Sequence, residues 1–117
     1  MAENTTDRRV RKTRGQLRQG LVRLMREKSI QDITVKELCE ECDINRGTFY
    51  LHYTDVYQLL HSIEDELLVE FERVLDGLDY AALARIHGRP AAYLRTRYHR
   101  AKKQLASRLR EGEHHDE

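Results

Sequence analysis

The stretch from residue 34 to 60, TVKELCEECDINRGTFYLHYTDVYQLL, constrains this chain more than any other part of it. Its signals predict a short helix, a tight turn, a second short helix, a break and the start of a long helix. Thr34 suits the N-cap of the first, with Glu37 three residues on to complete a capping box. Val35, Leu38 and Cys39 then fall on one helical face. Asp43-Ile44-Asn45 forms the turn, with Ile44 placed to plug the angle between the helices and Asn45 placed to cap the second helix. That second helix, RGTFYLHY, mixes polar and aromatic groups on the face read from Thr48, Phe49, Tyr50 and His52. A helix buried on all sides does not carry such a face, whereas one that enters a nucleic-acid groove does.

The same residues carry a family resemblance. INRGTFYLHYTDVYQLL resembles the DNA-binding signature of the TetR family of bacterial transcriptional regulators. That signature is a turn followed by a small residue, Thr, an aromatic, Tyr, any residue, His and an aromatic; here these are Gly47, Thr48, Phe49, Tyr50, Leu51, His52 and Tyr53. The resemblance extends over residues 8–75 and implies an all-α fold: a three-helix helix-turn-helix domain plus a long helix four. It implies roles as well. Arg46, Thr48, Leu51 and His52 would face base edges, Arg46 as a bidentate donor to guanine and Leu51 against a thymine methyl. Thr34 and Tyr50 would hold phosphates, with Asn45 and Gly47 forming the start of the recognition helix, while Phe49 and Tyr53 pack inward. The family often has a Lys near Val56, where helix four meets a phosphate. Val56 cannot make that interaction, so it would be missing here or supplied by Thr54.

Around this motif, Thr13 to Lys28 predicts an amphipathic first helix with Leu17, Gly20, Leu21, Leu24 and Met25 on the core side. Arg11, Lys12, Arg14 and Arg18 lie near its expected start, within reach of a phosphate backbone but poorly placed against the helix dipole. Residues 1–7 read as disordered. Ser29 to Ile33 is a connector anchored by Ile30 and Ile33. Helix four starts at Asp55 and carries Val56, Leu59, Leu60, Ile63, Leu67, Leu68, Phe71, Val74 and Leu75 at helical spacing. It ends at Asp76-Gly77, with Gly77 suited to a left-handed cap. A TetR-like protein continues from there into a large helical domain that binds a ligand and dimerises, and the 40 residues after Gly77 cannot enclose such a cavity.

Those 40 residues carry a second signature. Asp79 is placed to cap a short helix with Ala82, Leu83 and Ile86, Gly88 makes a turn, and Pro90 suits the first position of a new helix. Leu94, Tyr98, Ala101, Leu105 and Leu109 form the apolar stripe of that helix, opposite Arg95, Arg97, Arg100, Lys102, Lys103, Arg108 and Arg110. The run Leu94-Arg95-Thr96-Arg97-Tyr98-His99-Arg100-Ala101-Lys102-Lys103-Gln104-Leu105 is similar to the C-terminal helix-turn-helix of bacterial sigma factors, region 4. This makes 68–112 a second helix-turn-helix-like segment that shares helix four with the first domain. The resemblance implies DNA contacts from Arg89, Tyr93, Arg95, Thr96 and His99. Pro90 and Tyr93 depart from the pattern at the end that would meet bases. The competing reading is a basic amphipathic arm packed on the acidic face of helix four, as a lid or a dimer contact.

The net charge of +1 hides strong segregation of charge. Residues 1–28 hold nine Lys/Arg against three Asp/Glu, 55–79 one against eight, and 81–110 nine against none. Two surfaces suited to phosphate, separated by an acidic helix, fit this layout. Cys39 and Cys42 form a CxxC without a second ligand pair at zinc spacing, so reduced thiols packed between helices are expected, with no metal and no cofactor. No nucleophile–base pairing or phosphate-binding glycine loop is present in the pattern, which argues against an enzyme. No apolar run approaches a membrane span or a signal peptide, so a cytoplasmic protein is expected. The expected function is a sequence-specific DNA-binding regulator whose partners are double-stranded DNA and a second copy of the chain. The alternative is an adaptor whose basic C-terminal helix docks on RNA polymerase or mediates dimerisation.

Overall fold

In the computed structural model, residues 5–111 are described, and among them the chain forms six α-helices and no strand. These are α1 (Thr5–Met25), α2 (Val35–Cys42), α3 (Arg46–His52), α4 (Val56–Asp76), α5 (Tyr80–His87) and α6 (Ala91–Glu111), with one 3-10 turn at Ile30–Asp32 between α1 and α2. The chain divides into two compact units, Met1–Ile63 and Glu64–Glu117, with the division inside α4.

The starts expected for α2, α3 and α4 are present. The Thr34 hydroxyl accepts the Glu37 amide at 3.0 Å, and the Asn45 side chain accepts the Thr48 amide at 2.7 Å. The Glu37 carboxylate pairs with Lys28, which ties the connector to α2. Helix α4 starts in a capping box of its own, built on Asp55 and Gln58. Asp55 accepts the Gln58 amide at 2.8 Å, and Gln58 reaches back to the amide and hydroxyl of Thr54. Helix α2 ends in a Schellman turn. Asp43 adopts the left-handed conformation (φ 55°), and the Ile44 amide bonds the Cys39 carbonyl at 3.0 Å. Asp tolerates that conformation better than most residues, and Ile44 packs on the core as this motif favours.

Helix α1 starts earlier than expected and ends at Met25 rather than Lys28. No Gly or Pro interrupts residues 5–13, and Arg and Lys are good helix formers. Thr5 to Asp7 are therefore helical, while residues 1–4 of the segment expected to be disordered lie outside the described residues. Arg11, Lys12, Arg14 and Arg18 consequently sit in the helix interior, clear of the unfavourable N-terminal dipole. Met25 is exposed rather than in the core.

The core of the first unit is Leu17, Leu21 and Leu24 from α1, Ile33, Leu38 and Cys39 from α2 and the connector before it, Phe49 and Tyr53, and Val56, Leu59 and Ile63 from α4. Each fully buried Leu or Phe contributes about 1.5–3 kcal/mol of transfer free energy. Val56 is part of this core, so the position where a phosphate-binding Lys is common in the resemblance faces inward here.

The second unit departs further from the expected pattern. Leu75, Tyr80 and Leu94 are its buried apolar residues. Asp79 caps α5 through the Ala82 amide at 3.0 Å, as expected. The left-handed glycine is Gly88 (φ 66°) and not Gly77, and the Arg89 amide bonds the Ala84 carbonyl in a second Schellman turn. Pro90 stands one residue ahead of α6, where its carbonyl accepts the Leu94 amide, rather than at the first helical position. Leu67, Phe71 and Val74 of α4 and Ile86 of α5 are exposed. The α6 stripe is rotated: Leu94, Tyr98, Lys102, Ala106 and Leu109 are shielded, and Ala101 and Leu105 are exposed. Polar contacts supply what apolar burial does not. The Tyr80 hydroxyl donates to the Leu75 carbonyl at 2.5 Å, the Arg95 guanidinium lies 4.7 Å from the Tyr80 ring centre, and Lys102 pairs with Glu72.

Helix α1 meets α2 at Gly20. A Cβ there would overlap Cys42 Sγ and lie 3.4 Å from Leu38 Cδ1, so only glycine admits this approach. The Cys42 thiol donates to the Gln16 carbonyl at 3.2 Å, which leaves little freedom to move aside. Gly20→Ala is expected to cost about 1–3 kcal/mol, the usual range for overpacking. Adding Cys42→Ala should recover part of that cost, and urea denaturation of the double-mutant cycle measures it. Stability equal to the parent for Gly20→Ala alone would show that the approach is not tight.

Both thiols are free, and burial pushes both above their ordinary value, with the Arg46 charge opposing this at Cys39 and the Arg23 charge at Cys42. A protonated, shielded thiol is a poor nucleophile. Iodoacetamide at neutral pH should therefore label the native chain much more slowly than the urea-unfolded chain. Equal rates would place the thiols outside the packed interface.

Candidate nucleic-acid interface

The orientation of α3 follows from one buried ring. Phe49 is fully buried and Tyr53 nearly so, with ring centres 5.8 Å apart. With 3.6 residues per turn, burying position 49 turns positions 47 and 51 away from the core and leaves 48 and 50 at its flanks. Gly47, Tyr50 and Leu51 are exposed, Leu51 to 81%, and Arg46, on the same side as Phe49, is exposed as the first residue of the helix. Leu51 is therefore not a core residue, and a single exposed apolar side chain is by itself ordinary on a protein surface. The Tyr50 ring meets Phe49 edge-on at 5.3 Å, which fixes its base while more than half of the residue remains accessible.

The other expected residues of the first motif divide into two groups. Thr48 and His52 are half-buried on the flanks of α3, and the His52 ring lies 6.2 Å from that of Tyr53. Thr34 and Asn45 are exposed, but their side-chain oxygens are engaged in capping α2 and α3. A Cβ on Gly47 would stand 3.3 Å from the Asn45 cap oxygen, so the small residue protects the cap. Thr54, expected as a substitute phosphate contact, has its amide and hydroxyl taken by Gln58. Lys36 was not among the expected residues. It joins Asn45 and Arg46 along an open groove of about 580 Å³ beside the turn. Its signal was its place in the first turn of α2, two residues after Thr34, on the side opposite Leu38.

In the second unit, α6 divides its charge between two faces. Lys102 and His99 point toward α4: Lys102 pairs with Glu72, and His99 lies 3.6 Å from Glu72 and 3.3 Å from Asp76. The Lys102 hydrogen bond holds the Glu72 carboxyl below the usual carboxylate range. Arg95 lies over Tyr80, and burial pushes the Tyr80 phenol up despite that charge. Of the five residues expected from the sigma-factor resemblance, His99 and Arg95 are thus engaged within the unit. Arg89, Tyr93 and Thr96 are exposed. Arg89 lies 5.4 Å from the Tyr93 ring centre, and Arg97 donates to the Tyr93 hydroxyl at 3.2 Å. Tyr93, Thr96, Arg97 and Arg100 border one groove of about 370 Å³. No described helix is long and apolar enough to cross a membrane.

Comparison with known proteins bears on the first unit. A stretch of 52 residues is 31% identical to the uncharacterized HTH-type transcriptional regulator YxbF of Bacillus subtilis (strain 168), covering 44% of this chain and 14% of that protein. The chain thus spans a small part of the curated relative that it matches. No solved structure matches. The profile of the bacterial regulatory proteins of the tetR family matches residues 18–63, the span that holds the end of α1, both short helices and the start of α4. Residues 18–63 therefore carry a domain of the tetR family.

Proposed function

We propose that this chain is a sequence-specific DNA-binding transcriptional regulator that inserts α3 into a major groove. The observation that carries this reading is the outward face of α3, where Arg46, Tyr50 and Leu51 are exposed behind a fully buried Phe49. In helix-turn-helix docking, the second helix enters the groove with its N-terminal residues at base edges. Arg46 is then placed for a guanine and Leu51 for a thymine methyl. Tyr50, Thr34 and Lys36 flank them as phosphate contacts, with Thr48 and His52 at the sides of the helix. The name of the Bacillus subtilis relative, an HTH-type transcriptional regulator, agrees with this reading.

A second copy of the chain is the proposed protein partner. Leu67, Phe71 and Val74 recur at i, i+4 and i+7 on α4 and are exposed, as a helix face awaiting a partner would be. Two-fold pairing would also present two recognition helices to adjacent half-sites. For α6 the proposed role is a second phosphate-facing surface, carried by Arg89, Tyr93, Thr96, Arg97, Arg100 and Lys103. This assignment narrows the contacts implied by the sigma-factor resemblance to the residues left exposed.

Footprinting on genomic fragments identifies a site on which variants can be measured. Arg46→Ala is expected to cost about 1–3 kcal/mol of binding and relax preference at one base pair. Tyr50→Ala should weaken binding across sequences, and both should retain the helical circular dichroism of the parent. Superimposable isotherms for Arg46→Ala and the parent would remove α3 from the interface.

A triple variant, Arg97→Gln with Arg100→Gln and Lys103→Gln, should flatten the plot of log affinity against log salt. The slope should fall by up to about one for each phosphate that is no longer neutralised. Half-site preference should stay as in the parent. An unchanged slope together with a fall from dimer to monomer mass in sedimentation would make α6 a dimer arm instead.

A further inference from the structure

We propose a divalent metal site between α4 and α6, formed by Glu72, Asp76 and His99. Glu72 and Asp76 are four residues apart on α4, so both carboxylates project from one face of that helix. His99 comes from α6 and stands between them. Its Nε2 is 3.3 Å from an Asp76 oxygen and its Nδ1 is 3.6 Å from Glu72 Oε1. One ligand atom from each of the three residues falls within 4.8 Å of the others. An ion held by nitrogen and oxygen at about 2.0–2.2 Å separates its ligands by somewhat more than 3 Å. The Nε2–Asp76 pair is already at that spacing. Glu72 faces the other ring nitrogen, so to join an ion on Nε2 its carboxylate must swing around the imidazole edge while Lys102 follows its second oxygen.

Lys102 is the apparent competitor, since it pairs with Glu72. It holds Oε2, however, while Oε1 is the oxygen that faces His99. A ligating carboxylate commonly keeps such an outer partner on its second oxygen, which fixes its orientation. The donor set also selects the ion. One imidazole and two carboxylates suit a borderline ion such as Zn²⁺, whereas Mg²⁺ and Ca²⁺ favour sites built from oxygen alone. Glu72 and His99 are partly exposed and Asp76 is exposed, which leaves room for water to complete the coordination. The site lies wholly within the second unit, shares no residue with the α3 face or with Cys39 and Cys42, and would lock α6 to the end of α4 where apolar burial is sparse.

The test uses the full chain, titrated with Zn²⁺ by calorimetry and with Co²⁺ as a spectroscopic substitute. One ion per chain is expected, with a rise in melting temperature. His99→Ala and Asp76→Asn should each weaken binding by at least about tenfold while retaining parental helicity. Asp76→Asn conserves size, so it reports on ligation even if His99→Ala loosens the helix pair. Replacing His114 and His115, the vicinal pair near the C-terminus, with Ala should leave binding unchanged. Affinity unaffected by His99→Ala and Asp76→Asn would overturn the proposal, as would loss of binding in the His114/His115 variant. A thiolate charge-transfer band with Co²⁺ would place the ion on the cysteines and overturn it equally.

Discussion

Burial of Phe49 governs the first unit and the surface it offers. A helix of seven residues has little stability of its own, because nucleation fixes several residues for each hydrogen bond gained. Phe49 supplies the apolar anchor, and Tyr53 continues it into the break before α4. Once that ring is inside, the helical period sends Leu51 outward and leaves Tyr50 at the flank, while Arg46 reaches solvent from the first position of the helix. The surface chemistry of α3 is thus a consequence of a core contact. The Asn45 cap at one end and the Asp55–Gln58 capping box at the next helix limit sliding along the axis.

Close packing of α1 on α2 provides the wall against which α3 is set. Gly20 brings the two backbones together, and the space a side chain would take is filled by the Cys42 sulfur. The CxxC spacing that suggests metal or redox chemistry in other settings serves packing here. Cys39 lies in the core, and Cys42 bonds a carbonyl of the neighbouring helix. Burial disfavours the thiolate at both, so the chemistry and the packing point the same way.

The second unit solves a different problem. Few of its apolar side chains are buried, and α6 is held by charge and by rings: Lys102 to Glu72, Arg95 over Tyr80, and Tyr80 to the Leu75 carbonyl. Such contacts are individually modest where solvent reaches them. Both readings of the basic helix fit this arrangement. One face of α6 neutralises acidic groups of α4, and the opposite face keeps Arg97, Arg100 and Lys103 in solvent.

The sequence by itself determined the order of the helices and the caps at Thr34, Asn45 and Asp79, because those depend on side chains within four residues of one another. Thr34, Asn45 and Asp79 cap where their spacing to the next apolar run requires, whereas the inward turn of Phe49 is implied by the family resemblance and not by its neighbours. Only the tertiary structure decided which glycine turns left-handed, why Gly20 must be glycine, and which α6 charges remain in solvent. Gly77 and Gly88 look alike in a sequence, yet only the chain path after each helix selects the positive φ. The α6 stripe read as Leu94, Tyr98, Ala101 and Leu105 is rotated, because Glu72 and Asp76 draw Lys102 and His99 inward. Periodicity counts apolar side chains along one helix, and it carries no information about ion pairs formed with residues some thirty positions away.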